Sequence, residues 1–218
     1  MRSLRVLIAD DHQALLEGVR SIIEKQPGWE VCGTATTGRE AVEMARKLKP
    51  DIVVLDLRMP ELNGLDATRQ IKRFLEGTEV LIFTAHDDEQ LIHEAFAAGA
   101  RSFIFKSEPL TRLVDAIESL SRHKPFFSEK VSEVLFSNIG GPVREHARSE
   151  HSTSQLTPRE REIVQMLAEG KSNKEVATIL GISVRTAEAH RASLMHKLGI
   201  DSIAGLVRYA IRNGIIGA

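Results

Sequence analysis

Residues 52–56 read Ile-Val-Val-Leu-Asp, a short apolar run that ends in an acidic residue. The same pattern occurs at residues 6–11, Val-Leu-Ile-Ala-Asp-Asp, and a third run, Phe-Ile-Phe at 103–105, is followed by a lysine. Short apolar runs without alternation are typical of parallel strands buried on both faces of a sheet. Parallel strands end at the same sheet edge, where α/β proteins place their ligands. The side chains expected to converge there are Asp10, Asp11, Asp56 and Lys106.

The three carboxylates at these strand ends predict a site for a divalent cation. Carboxylates held side by side repel one another, and a divalent cation between them relieves that repulsion. Oxygen ligands suit Mg²⁺, and a carboxylate beside Mg²⁺ can attack a phosphoryl group while a lysine pairs with another phosphoryl oxygen. Asp56 is the candidate nucleophile, because Met59-Pro60 and Asn63-Gly64 beyond it predict a turn. Alternatively, the three aspartates cap helices that begin after each strand.

Segments of helical period separate the apolar runs and predict an α/β domain over residues 1–123. Strands are predicted near 4–9, 30–34, 51–56, 80–84 and 102–106, with helices near 12–26, 38–48, 64–76, 88–98 and 109–123. This alternation predicts a five-stranded, doubly wound parallel sheet with helices on both faces. Residues 124–155 are predicted to be a linker, in which 126–137 can form a short helix and the polar remainder separates two domains.

The last part of the chain, residues 156–218, has a helical period throughout and predicts a small all-α domain. The stretch Leu-Thr-Pro-Arg-Glu at 156–160 is the signature of a helix start with a capping box. A second helix is predicted near 172–180, and a third near 183–198. Two helices joined by a short glycine-containing turn form a helix-turn-helix.

Charge is divided unevenly along this chain of 218 residues, whose formal net charge is −1. Residues 1–123 hold 16 Lys and Arg against 20 Asp and Glu, a net of −4, whereas residues 156–218 hold 9 against 6, a net of +3. A basic C-terminal domain favours a polyanionic partner. A single cysteine, Cys32, excludes an internal disulfide and a cysteine-rich zinc site. Without an apolar run long enough for a membrane span, and without a signal peptide, we expect a cytoplasmic protein with no membrane partner.

Residues 1 to about 123 resemble the receiver domain of two-component response regulators, which have a flavodoxin-like fold. The motifs that carry this resemblance are Asp10-Asp11, Asp56 with Met59-Pro60, Thr84-Ala85 after an apolar run, and Lys106 at the end of the stretch from Gly99. The resemblance implies that Asp56 accepts a phosphoryl group from a sensor histidine kinase.

The same resemblance assigns roles to other residues of this domain. The residues implied to bind Mg²⁺ are Asp11, Asp56 and the backbone carbonyl of Arg58, with Asp10 acting mainly through a water molecule. Thr84 and Lys106 would contact the phosphoryl oxygens. Phe103 would be an aromatic switch that turns inward when Thr84 moves.

Residues 156–216 resemble the LuxR-type helix-turn-helix of the NarL/FixJ response regulators. The stretches that carry this resemblance are Leu156 to Glu160, Asn173 to Ala177, Ser183 to Arg191 and His196 to Gly199. The resemblance implies that the outer face of the third helix enters the major groove of double-stranded DNA. It also implies that the last helix, near 202–213, pairs two copies across a roughly palindromic site.

Spacing along the third helix separates a core side from an outer face. The predicted core positions are Ala187, Leu194 and Leu198, and the outer positions are Arg185, Glu188, Ala189 and Ala192. Arg185 suits a guanine edge, Glu188 can accept a hydrogen bond from cytosine, and Ala189 can touch a thymine methyl group. The candidates for phosphate contacts are Lys174, Thr186, Arg191 and Lys197.

These observations predict a transcription factor controlled by phosphorylation, with Mg²⁺ as its cofactor. Its expected partners are a sensor histidine kinase, double-stranded DNA and a second copy of the chain, which joins it on phosphorylation or on DNA. No enzymatic activity is expected beyond its own phosphotransfer and dephosphorylation. Two other classes stay open. A phosphatase acting on small metabolites would release phosphate over many turnovers, and an architectural protein with a vestigial receiver would bind DNA equally with and without phosphorylation.

Overall fold

The computed structural model describes residues 3–86, 88–136 and 156–217, and the chain folds into two compact units. The first unit alternates strands and helices, as the apolar runs predict. Its elements are β1 (Leu4–Ala9), α1 (Gln13–Glu24), β2 (Trp29–Ala35), α2 (Gly38–Leu48), β3 (Ile52–Leu55), α3 (Gly64–Phe74), β4 (Glu79–Thr84), α4 (Glu89–Ala98), β5 (Ser102–Phe105), α5 (Leu110–Ser121), β6 (Phe126–Phe127) and α6 (Glu129–Phe136).

All six strands of this unit run parallel in one sheet, in the order β2-β1-β3-β4-β5-β6. Every residue of β3, β4 and β5 is buried, which explains why apolar residues follow one another there without alternation. The strand β2 lies on one side of β1, and β3, the next strand along the chain, lies on the other side. The carboxyl ends of β1 and β3 therefore flank a topological switch point, where a crevice forms.

Helices cover both faces of the sheet, so the predicted doubly wound fold is confirmed. On one face, Leu16 and Val19 of α1 and Leu113 and Ile117 of α5 pack with inward residues of the central strands. On the other face, α2 packs beside α3 and α3 beside α4. Local signals begin several of these helices: Thr37 and Asn63, for example, cap α2 and α3 by accepting hydrogen bonds from backbone N–H groups.

The sheet continues past the predicted domain boundary at residue 123. Phe126 and Phe127 form β6, which pairs with Ser102 and Phe103 of β5, so the sheet has six strands rather than the predicted five. A strand of two residues is too short to show a period in the sequence, which is why it was not predicted. The predicted short helix is present as α6, whereas residues 137–155 of the predicted linker lie outside the described residues.

Over residues 156–217 the only regular elements of the second unit are helices, as the sequence predicts. Its elements are α7 (Pro158–Ala168), α8 (Asn173–Leu180), α9 (Val184–Leu198) and α10 (Ile203–Arg212). Capping boxes at Thr157 and Ser172 begin α7 and α8, and Gly181 ends α8 in the left-handed conformation, with φ of 64°. The core of this unit joins Ile163, Leu194 and apolar residues of the other helices. None of the helices in the described ranges is long and apolar enough to cross a membrane.

Candidate functional site

Three strand ends bring a lysine between two buried carboxylates. Asp10 follows β1, Asp56 follows β3 and Lys106 follows β5, although 50 residues separate Asp56 from Lys106 in the chain. The Nζ atom of Lys106 lies 2.6 Å from Oδ2 of Asp10 and 2.9 Å from Oδ2 of Asp56. Asp10 and Asp56 are only 3% and 5% exposed, so these ion pairs are shielded from solvent. The convergence predicted from the apolar runs is therefore present for these three side chains.

The protonation state of Lys106 follows from two opposing effects. Burial lowers the pKa of this amine, but the hydrogen bonds to Asp10 and Asp56 and the charges of both carboxylates outweigh burial and raise the pKa above its ordinary value. Lys106 is therefore a cation at neutral pH. It balances part of the negative charge at the edge of the sheet, and it must give up one of its two ion pairs to bind an incoming anion.

Asp11 differs from its neighbour because it faces solvent and contacts a histidine. The Nδ1 atom of His12 lies 2.8 Å from Oδ1 of Asp11 and 3.3 Å from Oδ1 of Asp10. One donor atom from each of these three residues lies within 4.8 Å of the others, a spacing that one metal ion can span. His12 was not predicted as a site residue, although it directly follows the acid pair in the sequence.

Helix capping does not explain these aspartates. The residue at the N-cap of α1 is His12, and the residue at the N-cap of α3 is Asn63, whose side chain accepts a hydrogen bond from the Asp66 N–H. Asp56 instead accepts a hydrogen bond of 2.7 Å from the N–H of Leu57 at Oδ1 and contacts Lys106 at Oδ2. The alternative in which the strand-end aspartates serve as helix caps is therefore wrong.

Thr84, Phe103 and Arg58 surround this centre in different ways. Thr84 ends β4 fully buried, and its hydroxyl accepts a hydrogen bond of 3.3 Å from the His86 N–H. Phe103 is also fully buried, with its ring 5.3 Å from that of Phe105. Arg58 follows Asp56 by two residues, and its side chain is exposed.

A glycine lets the start of α3 approach the backbone of the strand-end aspartate. The N–H of Gly64 donates a hydrogen bond of 2.8 Å to the carbonyl of Leu57. A Cβ atom at position 64 would collide with the carbonyl oxygen of Asp56 and would lie 3.0 Å from the Cα of Leu57. These neighbours are backbone atoms, which cannot move aside as a flexible side chain can. Only glycine therefore fits beside Asp56 at this position.

We expect Gly64→Ala to destabilise the first unit and to displace Asp56. The added methyl group must push the strand end or α3 away, and such overpacking costs about 1–3 kcal/mol. Chemical denaturation of the full chain, with extrapolation to zero denaturant, would measure the loss in the free energy of unfolding.

Gly18→Ala is the matched control for that substitution. Gly18 lies within α1, and a Cβ atom there would have no neighbour within 4 Å. Alanine is the better helix former by about 1 kcal/mol, so this variant should be neutral or slightly more stable. Equal unfolding free energies for Gly64→Ala and the wild type would show that the backbone beside Asp56 yields easily, contrary to our expectation.

In the helical unit, α9 presents the face that the sequence predicts. Ala187 and Leu194 are buried, and Leu198 packs against the core as a partly buried residue. The exposed residues are Arg185, Thr186, Glu188, Ala189 and Ala192. Lys174 of α8 is also exposed, and Arg191 is half-buried. The outer face thus carries side chains suited to base edges, with basic and hydroxyl groups around them.

Lys197 differs from the other predicted phosphate contacts because it already has an anionic partner. Its Nζ lies 2.8 Å from Oε2 of Glu160 in α7. The hydrogen bond from Lys197 is the main cause that lowers the pKa of Glu160, with smaller contributions from Thr157. Lys197 would have to leave this ion pair to contact a phosphate, so we expect it to contribute less to DNA binding than Lys174 or Arg191.

The two units together define a class of protein: a receiver-type α/β domain joined to a helix-turn-helix DNA-binding domain. Comparison with known families gives the same result. The family described as "Response regulator receiver domain" matches residues 6–118, and the family described as "Bacterial regulatory proteins, luxR family" matches residues 154–210. The chain belongs to the two-component response regulators of the NarL/FixJ type, and it is a transcriptional regulator.

Relatives match over nearly the whole chain. The transcriptional regulatory protein MctR of Rhizobium johnstonii is 36% identical over 213 residues, which cover 98% of this chain and 95% of MctR. The transcriptional regulatory protein LiaR of Bacillus subtilis is 33% identical, with 98% and 99% covered. A solved structure of RcsB from Salmonella enterica serovar Typhimurium, bound to a promoter in the presence of phosphomimetic BeF₃⁻, is 26% identical, covers 95% of this chain and 98% of that one, and has a TM-score of 0.59.

Proposed function

We propose that Asp56 accepts a phosphoryl group from a sensor histidine kinase and that this modification strengthens DNA binding by a homodimer of the chain. The observation that carries the proposal is the Lys106 ammonium held between Asp10 and Asp56 at the switch point of the sheet. A lysine at this place can follow the negative charge when it moves from a carboxylate onto a phosphoryl group.

Asp56 has the environment that a nucleophilic carboxylate needs. Its Oδ1 accepts the Leu57 N–H, and its Oδ2 faces Lys106 at an otherwise buried strand end. Attack by a carboxylate oxygen forms a new bond to phosphorus and breaks the bond between phosphorus and the nitrogen of the donor histidine; the ring keeps the electron pair and, with a proton on its other nitrogen, leaves as neutral imidazole. Lys106 then pairs with a phosphoryl oxygen, and the Thr84 hydroxyl turns to donate a hydrogen bond to another.

The donor set fits Mg²⁺, because carboxylate and carbonyl oxygens are the ligands that this ion prefers. The residues proposed to hold it are Asp11, Asp56 and the backbone carbonyl of Arg58, with Asp10 acting through water. Bound Mg²⁺ would neutralise charge on the phosphoryl oxygens. His12 lies against both carboxylates of the acid pair, where its ring can orient the Asp11 side chain toward the ion.

The helical unit would carry out the DNA binding that phosphorylation of Asp56 controls. We place the α9 face in the major groove, with Arg185, Glu188 and Ala189 at base edges and Lys174, Thr186 and Arg191 near phosphates. The RcsB relative has been solved on promoter DNA, which supports this assignment. Two copies would bind a roughly palindromic site, because one recognition helix reads few base pairs. We propose the cytoplasm as the location of the protein, because it is where a bacterial regulator meets its double-stranded DNA.

Phosphorylation with a small donor tests this function directly. The full chain is incubated with acetyl phosphate and Mg²⁺, its intact mass is measured, and the same sample is titrated onto its DNA site. We expect a mass increase of one phosphoryl group and an affinity gain of about 5- to 150-fold, the usual range of coupling between two sites. Chelation of Mg²⁺ before the donor is added should prevent both changes.

Two other outcomes would support an architectural DNA-binding protein or a phosphatase instead. A phosphoryl group on the protein with unchanged DNA affinity would indicate a receiver that does not control DNA binding. In a separate assay, rapid release of phosphate over many turnovers from phosphorylated metabolites other than acetyl phosphate, faster than the aspartyl phosphate of the protein decays, would indicate a phosphatase. Either result would contradict the proposed function.

A further inference from the structure

The segment that follows α5 is docked onto the strand that carries Lys106. The backbone of β6 pairs with β5, with Phe126 opposite Ser102 and Phe127 opposite Phe103. The hydroxyl of Ser102 also donates a hydrogen bond of 2.9 Å to the carbonyl of Phe126. Because β5 ends one residue before Lys106, β6 is bonded to the strand that positions the lysine at Asp56.

Two aromatic contacts add to this pairing. The Phe127 ring meets the Phe96 ring of α4 edge-on, with centroids 5.4 Å apart and an interplanar angle of 70°. The ammonium of Lys130, in the first turn of α6, lies 4.5 Å from the centroid of the Phe105 ring. Phe105 directly precedes Lys106, so α6 contacts the neighbour of the lysine that pairs with Asp56.

The helix α6 is anchored to the receiver and directly precedes the connection to the DNA-binding unit. Val131 is fully buried and Val134 nearly so, while the helix packs against α4. In the sequence, α6 is the last described element before residues 137–155, and the helical DNA-binding unit begins after them. Any change in how α6 is docked therefore acts on the chain that connects the receiver to the DNA-binding unit.

We propose that β6 and α6, residues 126–136, form the output element of this receiver and undock when Asp56 is phosphorylated. The inference rests on the proposed function, since it requires phosphorylation of Asp56. A phosphoryl group adds negative charge beside Lys106 and draws the ammonium onto its oxygens, away from its present position at Asp10. The end of β5 moves with Lys106 and disturbs the Phe105 contact and the pairing at Phe127. A strand of two residues has little pairing to lose before it detaches.

Undocking is measured by hydrogen exchange in the full chain. Backbone amides of residues 126–136 are compared by mass spectrometry with and without acetyl phosphate and Mg²⁺, and intact mass reports phosphorylation in the same samples. We expect about tenfold faster exchange over this segment on phosphorylation, because local opening sets the rate. Exchange in the central strands β1 and β3 should stay slow.

Two substitutions test the contacts themselves in unphosphorylated protein. Phe127→Ala removes the ring that meets Phe96 and should raise both the exchange of residues 126–136 and the DNA affinity. Lys130→Met keeps the length of the side chain, removes its charge and should raise exchange by about two- to fivefold, in keeping with one exposed cation–π contact. Glu133→Gln is the control, because Glu133 is exposed on the same helix. Its replacement should change neither the exchange of residues 126–136 nor the DNA affinity.

The outcomes distinguish this inference from the function on which it rests. If the phosphoryl group is bound and DNA affinity rises while exchange over residues 126–136 stays unchanged, the output element is elsewhere and the proposed function stands. If exchange rises in Phe127→Ala and Lys130→Met but DNA affinity does not, undocking is not coupled to DNA binding. Absence of any phosphoryl group on the wild type would overturn both proposals.

Discussion

Asp56→Asn should eliminate phosphorylation of the chain by acetyl phosphate and, with it, the gain in DNA affinity. The asparagine amide keeps the size of the carboxylate and can still accept the Leu57 N–H, so the fold of the first unit should survive. It has no anionic oxygen to attack phosphorus. Intact mass after incubation with donor and Mg²⁺ should show no added phosphoryl group, and the DNA titration should match that of untreated wild type.

Asp51→Asn is the matched control for this variant, because Asp51 precedes β3 at the end opposite Asp56. Its carboxylate accepts the backbone N–H of Arg5, a bond that an asparagine oxygen can also accept. This control should acquire the phosphoryl group as the wild type does. A phosphoryl group on Asp56→Asn would place the acceptor at another residue and would remove the basis for the Asp56 assignment.

Arg185→Ala should weaken binding to the specific DNA site more than any other single change on the α9 face. Arg185 is exposed, and among the described residues it makes no hydrogen bond or ion pair that would hold it away from a guanine. Loss of a bidentate contact to guanine costs about 1–3 kcal/mol for each half-site. Titrations on the specific site and on unrelated DNA, at one salt concentration, should show a large loss on the first and a small loss on the second.

Arg185→Lys controls for the charge removed in that experiment. Lysine keeps the positive charge at this exposed position of α9 but lacks the planar fork of donors that matches a guanine edge. Binding to unrelated DNA should therefore stay unchanged, whereas binding to the specific site should fall nearly as far as in Arg185→Ala. If Arg185→Lys binds the specific site as tightly as the wild type, Arg185 contributes only general electrostatic attraction, and the base-reading role is wrong.

Much of the fold was predictable because its signals are local. Apolar runs at β1, β3 and β5 identified buried parallel strands, and the capping box at Thr157 located the start of α7. The part of the receiver beyond residue 123 was not predictable in this way. The docking of β6 and α6 depends on a strand of two residues and on ring contacts with α4, and neither leaves a periodic trace in the sequence.

The sequence by itself determined which residue types end the strands and which side of α9 is apolar, because strand and helix periods follow from short stretches of chain. The strand ends also predicted that Asp10, Asp56 and Lys106 converge, but only the tertiary structure decided which of their atoms pair. Lys106 lies between Asp10 and Asp56 because β1, β3 and β5 end at the same edge of the parallel sheet and the long lysine side chain spans the strand β4, which lies between β3 and β5. The structure likewise shows that Lys197 pairs with Glu160 and that His12 contacts Asp11. Such partners depend on packing and on the direction of each side chain, which residue type and spacing do not specify.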